Sequence, residues 1–282
     1  MLLATNGFAH HTGPVFRVAG EEGYRFRLQL DTHHVNFAGR FHGGMVLTLL
    51  SISMGQVAAE LAARAAPGST APLLSLNSEF VGSVETGAQV IAEVSVTRAT
   101  RSVLFLSCRL FANETLLTNA SAIYKIEAPA AAVDVVESVA SERWEPDAAD
   151  GWTRVQTKDP FGLHVGPLFE RGLDEGAHVI RFTVDDHLLD QHGLGSVHDG
   201  MLLFMADLFT GRAAVRASDR RMCVTLGVQA RRLGEARHGA LVDFETHVQL
   251  ATPSVVFVDG RFHSAGKPLM NVSAAWKVLG AP

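Results

Sequence analysis

Apolar and polar positions follow one pattern over the first 127 residues. The stretch YRFRLQL (24–30) alternates apolar and polar positions, which predicts a strand with one buried face. From Gly43 to about Arg64 apolar residues occur on nearly all sides of a helix and few residues are β-branched, which predicts one long buried helix. Polar or glycine-containing turns separate four further segments typical of strands: LLSLNSEFV (73–81), AQVIAEVSVTRA (88–99), SVLFLSCRLFA (102–112) and LLTNASAIYKI (116–126). The pattern predicts an antiparallel sheet curled around one helix.

The second half of the chain repeats this pattern. GPVFRVAGEEGYRFRLQL (13–30) resembles GPLFERGLDEGAHVIRFTV (166–184), and the segment 103–126 resembles 255–278. In the latter pair five identical residues recur at one spacing of 152 residues (257 − 105): Phe105, Arg109, Asn119, Ser121 and Lys125, with Phe257, Arg261, Asn271, Ser273 and Lys277. The chain is therefore interpreted as a duplication of one domain.

The repeats have predictable limits. The first is expected at residues 8–127 and the second at 160–280. Residues 128–159 are rich in alanine and acidic residues, with prolines near both ends, which predicts a linker. Within the linker, residues 133–144 have the pattern of a short amphipathic helix. The predicted class is α+β, with two tandem sheet-and-helix domains that pair about a pseudo-twofold axis.

Composition narrows the classes of function. A formal net charge of −5 argues against nucleic acid or an anionic membrane as the main partner. No unbroken apolar run reaches the length of a membrane span, and the start MLLATNGFAHHTG lacks the features of a signal peptide. The two cysteines, Cys108 and Cys223, suggest neither a disulfide framework nor a metal site. We expect a cytoplasmic protein without a membrane partner or a bound metal.

The starts of the two long helices differ in an informative way. HGG (42–44) opens the first helix and HDG (198–200) opens the second. Asp207 lies in an apolar stretch of the second helix, where an unpaired carboxylate would be costly. It is nine residues from His198, about 13.5 Å along the helix and on the opposite face, so the two cannot pair. If the helices of the two repeats pack antiparallel, Asp207 instead faces His42 and Gly43.

Asp207 placed opposite His42 and Gly43 would form a candidate catalytic site. Gly43 would present a free backbone N–H at the positive end of the helix dipole, as needed to stabilise an oxyanion. His42 and Asn36 could orient a carbonyl group there. Asp207 could act as a general base towards water or as a nucleophile. The competing interpretation of Asp207 is a structural one, a buried carboxylate satisfied by a backbone N–H or an arginine.

The pseudo-symmetric second site is predicted to be degenerate. It would set Ser51 opposite His198 and Asp199. A carboxylate beside the oxyanion donor would oppose a developing negative charge, and a serine without a base is weakly nucleophilic.

The HGG motif, the strand meander and the spaced aspartate together resemble the hotdog fold, and more narrowly the PaaI-like acyl-CoA thioesterases. The resemblance covers both repeats. It implies a site between two units, with Asn, His and Gly from one unit and a helical Asp from the other. A hydroxyl residue eighteen positions beyond that Asp would help to hold the attacking water. The matching residues here are Asn36, His42, Gly43, Asp207 and Thr225, and the departures are Ser51, Asp199 and His192, the last standing where the family has Asn.

The resemblance implies hydrolysis of an acyl-CoA thioester without a further cofactor, coenzyme A being part of the substrate. Gly44, Arg231 and Arg232 are candidate substrate-binding residues, although arginines at a strand end can equally be solvated. Association of two such chains into a homodimer is expected from relatives. Two alternatives stay open: a non-catalytic protein that binds or senses acyl-CoA, and a hydratase or dehydratase that uses His42 with Asp207.

Overall fold

The computed structural model describes residues 7–18, 23–128, 144–147, 150–156, 160–173, 177–190 and 195–280. The linker helix expected at 133–144 falls almost wholly outside these residues, as does His192. The elements in chain order are α1 (Gly7–His11), β1 (Val15–Arg17), β2 (Tyr24–Gln29), α2 (Gly43–Ala65), β3 (Leu73–Phe80), β4 (Gln89–Ala99), β5 (Val103–Ala112), β6 (Thr115–Lys125), β7 (Thr153–Arg154), α3 (Pro160–His164), β8 (Phe169–Gly172), β9 (His178–Thr183), α4 (Asp199–Ala217), β10 (Cys223–Arg232), β11 (Leu241–Ala251), β12 (Val255–Ser264) and β13 (Lys267–Val278).

The strands of the described residues form one sheet that crosses both repeats. Its order is β1-β2-β4-β5-β6-β3-β10-β13-β12-β11-β9-β8-β7. The repeats meet where β3 pairs antiparallel with β10, from Gly227 opposite Glu79 to Arg231 opposite Ser75. The predicted fold class is confirmed: two tandem α+β repeats, each with an antiparallel sheet around a long helix. The exact limits of the repeats stay a prediction.

Equivalent turns keep the two meanders in the same register. Between β5 and β6 the chain turns at Asn113 and Glu114, whose φ angles are 46° and 66°. Between β12 and β13 it turns at Ala265 and Gly266, with φ of 47° and 74°. Two successive residues with positive φ form the tight turn that matches the twist of a hairpin. The same local geometry therefore recurs 152 residues later.

Both long helices are buried on nearly all sides. Helix α2 has buried residues in every turn from Gly44 to Val57, and α4 from Gly200 to Ala214. Among the described residues, α2 also has the length and hydropathy of a membrane span, with a mean hydropathy of 1.5, although its sequence contains no unbroken apolar run of that length. In the fold, 72% of that window is buried. The apolar character of α2 is that of a helix packed between a sheet and a second helix.

Candidate functional site

Helices α2 and α4 cross antiparallel, each N-terminus beside the middle of the other. The Thr48 hydroxyl on α2 donates a hydrogen bond to the Gly200 carbonyl on α4, at 3.1 Å. A Cβ atom on Gly44 would lie 2.5 Å from the Phe204 ring and 3.1 Å from the Phe204 Cα. Gly44 therefore lets the two helices come into contact at their crossing. The N-terminus of each helix is thus set against side chains of the other repeat.

Asp207 of α4 lies directly against Gly43, the first residue of α2. A Cβ atom on residue 43 would be 2.6 and 2.8 Å from the two Asp207 carboxylate oxygens, and 2.9 Å from the Thr225 hydroxyl. Only glycine allows these groups to approach the backbone so closely. The structure thus brings together Gly43 of the first repeat and Asp207 and Thr225 of the second.

The Asp207 carboxylate is held in a fixed orientation. The Thr225 hydroxyl of β10 donates a hydrogen bond to Asp207 Oδ1, at 2.8 Å. Asp207 is 3% exposed. Its second oxygen, Oδ2, lies 3.6 Å from His42 Nδ1. Oδ1 is thus engaged with the strand, and Oδ2 faces the start of α2.

His42 is the N-cap of α2, and this role determines which ring nitrogen carries its proton. His42 Nδ1 accepts a hydrogen bond from the Gly44 backbone N–H, at 2.9 Å. Since an accepting nitrogen carries no proton, the neutral imidazole is protonated on Nε2. The contact between His42 Nδ1 and Asp207 is therefore no charged hydrogen bond, and Nε2–H is the donor that His42 can offer.

Two backbone groups at the start of α2 have different partners. Gly44 N–H donates to His42, so the predicted substrate-binding role of Gly44 does not fit its N–H, which is already used. Gly43 N–H donates to no group within the described part of the chain. The first N–H groups of a helix have no intrahelical acceptor and lie at the positive end of its dipole. Gly43 N–H is thus an oriented donor beside the Asp207 carboxylate.

Asn36 shapes the loop that leads into His42. Its side-chain oxygen accepts hydrogen bonds from the backbone N–H groups of Ala38 and Arg40, at 3.0 and 3.2 Å. Val35 and Phe41 pair across the base of this loop. Asn36 therefore holds the turn with its oxygen, and its amide nitrogen is the group left to contact a ligand.

The second crossing has the same histidine cap as the first, but the other residues of the first site are replaced. His198 Nδ1 accepts from the Gly200 N–H at 2.8 Å, as His42 does from Gly44. At the position of Gly43 stands Asp199, whose carboxylate lies 2.9 Å from Arg232 Nε. Burial raises the pKa of Asp199, and the Arg232 guanidinium opposes that rise. An ion pair thus occupies the N-terminus of α4.

A further loss is visible only from the strand register. Thr225 faces Trp276 immediately before a β-bulge, and Leu73 faces Tyr124 immediately before the equivalent bulge. Leu73 therefore stands where the first site has the Thr225 hydroxyl. Together with Ser51 in place of Asp207, the second site lacks both the acid and the hydroxyl. Sequence alignment of the helices alone missed Leu73, because α2 is four residues longer than α4 and shifts the helix and strand spacings.

The two arginines predicted to bind substrate lie away from the first site. The Arg232 side chain is 8% exposed and paired with Asp199 at the second site, and its predicted role in substrate binding stays a prediction. Arg231 is exposed on the outer face of the sheet, in a trough of about 470 Å³ shared with Asn77 and Arg261. Thr225 faces the opposite, inner side. The predicted role of Arg231 in substrate binding stays a prediction.

Aromatic side chains enclose the start of α2. The Phe204 ring lies 5.2 Å from the His42 ring and 4.5 Å from the Phe161 ring, between centroids. Phe8 of α1 continues the cluster, 5.9 Å from Phe161 and 5.4 Å from His198. The cluster therefore links the two capping histidines through apolar rings. Among the described residues no group of three or more His, Cys, Asp or Glu side chains could hold a metal ion.

Known proteins are similar to this chain in two ways: solved structures share its fold, and one family model matches part of its sequence. Residues 38–118 match the family model described as the thioesterase superfamily. No curated protein matches the chain. Among solved structures, a conserved protein of unknown function with a hot dog fold from Alicyclobacillus acidocaldarius has a TM-score of 0.64 at 17% identity, covering 93% of this chain and 96% of its own.

Two further similar structures are thioesterases by name. The acyl-CoA thioesterase II TesB2 from Mycobacterium marinum has a TM-score of 0.63 at 14% identity, covering 95% of this chain and 96% of its own. The 12:0-ACP thioesterase from Umbellularia californica has a TM-score of 0.59 at 9% identity, covering 92% and 99%. The chain thus has the double-hotdog fold. Residues 38–118, within its N-terminal repeat, are similar to the thioesterase superfamily.

Proposed function

We propose that the chain is a PaaI-like thioesterase, which hydrolyses an acyl-CoA thioester at the crossing of α2 and α4 that carries Asp207. The observation that supports this most is the contact of Asp207 and Thr225 with Gly43 at one crossing, while the equivalent crossing has lost the acid, the glycine and the hydroxyl together. Loss of the whole set at one site is consistent with a shared chemical role at the other.

In this proposal the thioester carbonyl oxygen accepts hydrogen bonds from Gly43 N–H and His42 Nε2–H. Both donors are oriented before substrate binds, because one is the end of a helix and the other is fixed by capping. They stabilise the negative charge that develops on the carbonyl oxygen during attack. The amide nitrogen of Asn36 supports the same carbonyl from the adjoining loop.

Asp207 Oδ2 is the reacting oxygen, because Thr225 engages Oδ1. As a general base it takes a proton from water while the water oxygen attacks the carbonyl carbon. The tetrahedral intermediate then collapses, the C–S bond breaks, and the sulfur leaves as a thiolate that is subsequently protonated. As a nucleophile Asp207 would instead form a mixed anhydride that water hydrolyses. After repeated turnover in ¹⁸O-labelled water, label in the Asp207 carboxylate, detected by mass spectrometry, would show the anhydride route. The general-base route puts the label in the released acid alone.

The test is thiol release from a panel of acyl-CoAs, with acyl carrier protein thioesters of the same acyl groups as a second arm. We expect native turnover on CoA thioesters. Asp207→Asn should lower kcat by about 10³-fold, within the range for removal of a general base. Ser51→Ala, the matched change on α2, should retain full turnover.

Two other results of this test would favour a different function. Acyl-CoA binding without thiol release would overturn hydrolysis in favour of a binding or sensing protein, and hydration of an enoyl-CoA without thiol release would favour a hydratase. The expected homodimer and the cytoplasmic location stay predictions. Mass in solution tests the first and fractionation of the source cells tests the second.

A further inference from the structure

Trp276 of β13 stands beside the candidate site and has no role in the proposed chemistry. It is the direct cross-strand partner of Thr225, whose hydroxyl holds Asp207. Its side chain is buried, at 5% exposure, on the inner face of the sheet. The sheet thus places an indole next to the residue that orients the carboxylate.

The indole spans the gap between the sheet and α4. A Cβ atom on Gly211 would lie 2.7 Å from the tip of the Trp276 six-membered ring and 3.1 Å from the two flanking ring carbons. Gly211 is four residues after Asp207, which is one helical turn, or about 6 Å, further along the same face. The ring therefore lies against α4 one helical turn beyond Asp207.

This arrangement is confined to the repeat that carries Asp207. In the first repeat Gly55 is equivalent to Gly211, since each lies thirteen residues after its capping histidine. A Cβ atom on Gly55 would meet nothing within 4 Å. Tyr124, equivalent to Trp276, therefore does not fill the corresponding space. Contact between an aromatic ring and this helix glycine therefore occurs in the repeat that carries Asp207 and not in the other repeat.

Trp276 also carries an unsatisfied donor. Its indole Nε1–H is buried and makes no hydrogen bond within the described part of the chain. Buried donors are nearly always paired, so an unpaired one next to a candidate site needs an explanation. A ligand oxygen that accepts from Nε1–H would supply the missing partner.

We propose that Trp276 sets the acyl specificity of the site: its ring limits the acyl group to a short chain, and its N–H binds an oxygen on that chain. This rests on the proposed function of the Asp207 site. The substrate class is therefore short acyl thioesters with a hydroxyl, oxo or carboxyl oxygen on the acyl chain. An apolar chain of the same length would leave the indole N–H unpaired, and a site with a buried polar group discriminates against such analogues.

The test compares kcat/KM for straight-chain acyl-CoAs of increasing length, each with and without a hydroxyl on the chain. For the native protein we expect a preference of about tenfold for the hydroxylated member of a short pair, the size expected from one neutral hydrogen bond. Trp276→Phe keeps a ring and loses the N–H, so it should abolish this preference and leave the limit on chain length. Trp276→Leu should extend the accepted chain length by several carbons.

Tyr124→Phe is the matched control and should change neither property. Equal profiles for the native protein and both Trp276 variants would overturn the inference while leaving thioester hydrolysis intact. Absence of thiol release from every substrate would instead overturn the proposed function. In that case Trp276 is tested by ligand binding. The substitutions Trp144→Phe and Trp152→Phe leave Trp276 as the single tryptophan, so that the fluorescence comes from it alone. Its fluorescence should change with a non-hydrolysable hydroxyacyl thioether of CoA, and an unchanged spectrum on binding would contradict the inference.

Discussion

The two helix crossings of this molecule have the same backbone arrangement but different side chains at the start of the helix. Both keep a histidine that caps the helix through Nδ1, followed two residues later by a glycine at the crossing. One crossing sets Gly43 against Asp207 and Thr225. The other has an Asp199–Arg232 ion pair and a leucine in the equivalent places.

The difference separates residues that build the fold from residues available for chemistry. The capping histidines and the crossing glycines are kept in both halves, and each has a structural reason that requires no substrate. A histidine in this position is therefore insufficient evidence of catalysis. The acid, the first glycine and the hydroxyl occur together at one crossing only, which assigns the proposed chemistry to that crossing.

The largest expected effect comes from a methyl group on Gly43. Gly43→Ala would place a Cβ atom within 3 Å of both Asp207 oxygens, displacing the carboxylate from its position beside the thioester carbonyl. We expect kcat/KM to fall by about 10³-fold, measured by thiol release. Gly55→Ala on the same helix meets no neighbour and is the control; it should keep activity and gain about 0.5–1 kcal/mol in unfolding free energy. Equal activity of the two variants would remove Gly43 from the site.

A second comparison uses pH and the equivalent histidines His34 and His187. His34 is buried between the Thr12 carbonyl and the Asp31 N–H, and burial lowers its pKa to about 4 from 6.5. The unfolded chain then binds the extra proton first, so stability is full above pH 6.5 and declines as pH falls towards 4. The loss should reach about 3 kcal/mol.

Denaturant unfolding at several pH values measures this decline. His34→Gln should flatten it, whereas His187→Gln, at the half-buried equivalent position, should leave it unchanged. A decline of the same steepness in the His34 variant would assign the acid sensitivity to another group.

The ion pair at the second crossing should matter for stability and not for activity. Arg232→Met leaves the Asp199 carboxylate at the start of α4 without its guanidinium partner, which should cost about 2 kcal/mol of unfolding free energy. The double variant with Asp199→Asn should recover most of this. Thiol release should stay within about twofold of native in both. A large loss of turnover would show that the second crossing takes part in the reaction.

The smallest expected effect concerns the hydroxyl that holds Asp207. Thr225→Val removes one hydrogen bond to the buried carboxylate, and we expect kcat to fall about tenfold with little change in KM. Thr225→Ser should keep most of the activity, because it keeps the hydroxyl. Leu73→Thr at the equivalent position should have no effect on kcat. A Thr225→Ser variant as impaired as Thr225→Val would contradict the hydroxyl as the group that accounts for the effect by itself.

The duplication and the fold could be predicted because a shared spacing of 152 residues and one hydrophobic pattern run through both meanders. The pairing of Asp207 with the start of α2 could be predicted from helix geometry, since nine residues separate it from His198. The strand register, the bulge after Thr225 and the contact of Trp276 with Gly211 could not. They depend on how neighbouring strands align and on where the sheet meets the helix, which local patterns do not encode.

The arginines show a related limit of sequence reasoning. Arg231 and Arg232 are adjacent, so they looked alike in the sequence, yet alternation along β10 sends one outward and the other to Asp199. A pair of neighbouring charges on a strand therefore cannot form one patch on one face. The partners of the two arginines therefore depend on which face of the sheet each side chain occupies, and not on the residue type.

The most direct test of the account is the number of ligands that bind per chain. Isothermal titration of the native protein with a non-hydrolysable acyl-CoA thioether, matched in acyl group to the best substrate, should give one site per chain. Ser51→Ala should leave both the stoichiometry and the affinity unchanged. Two equivalent sites per chain would contradict the claim that only the crossing with Asp207 is competent.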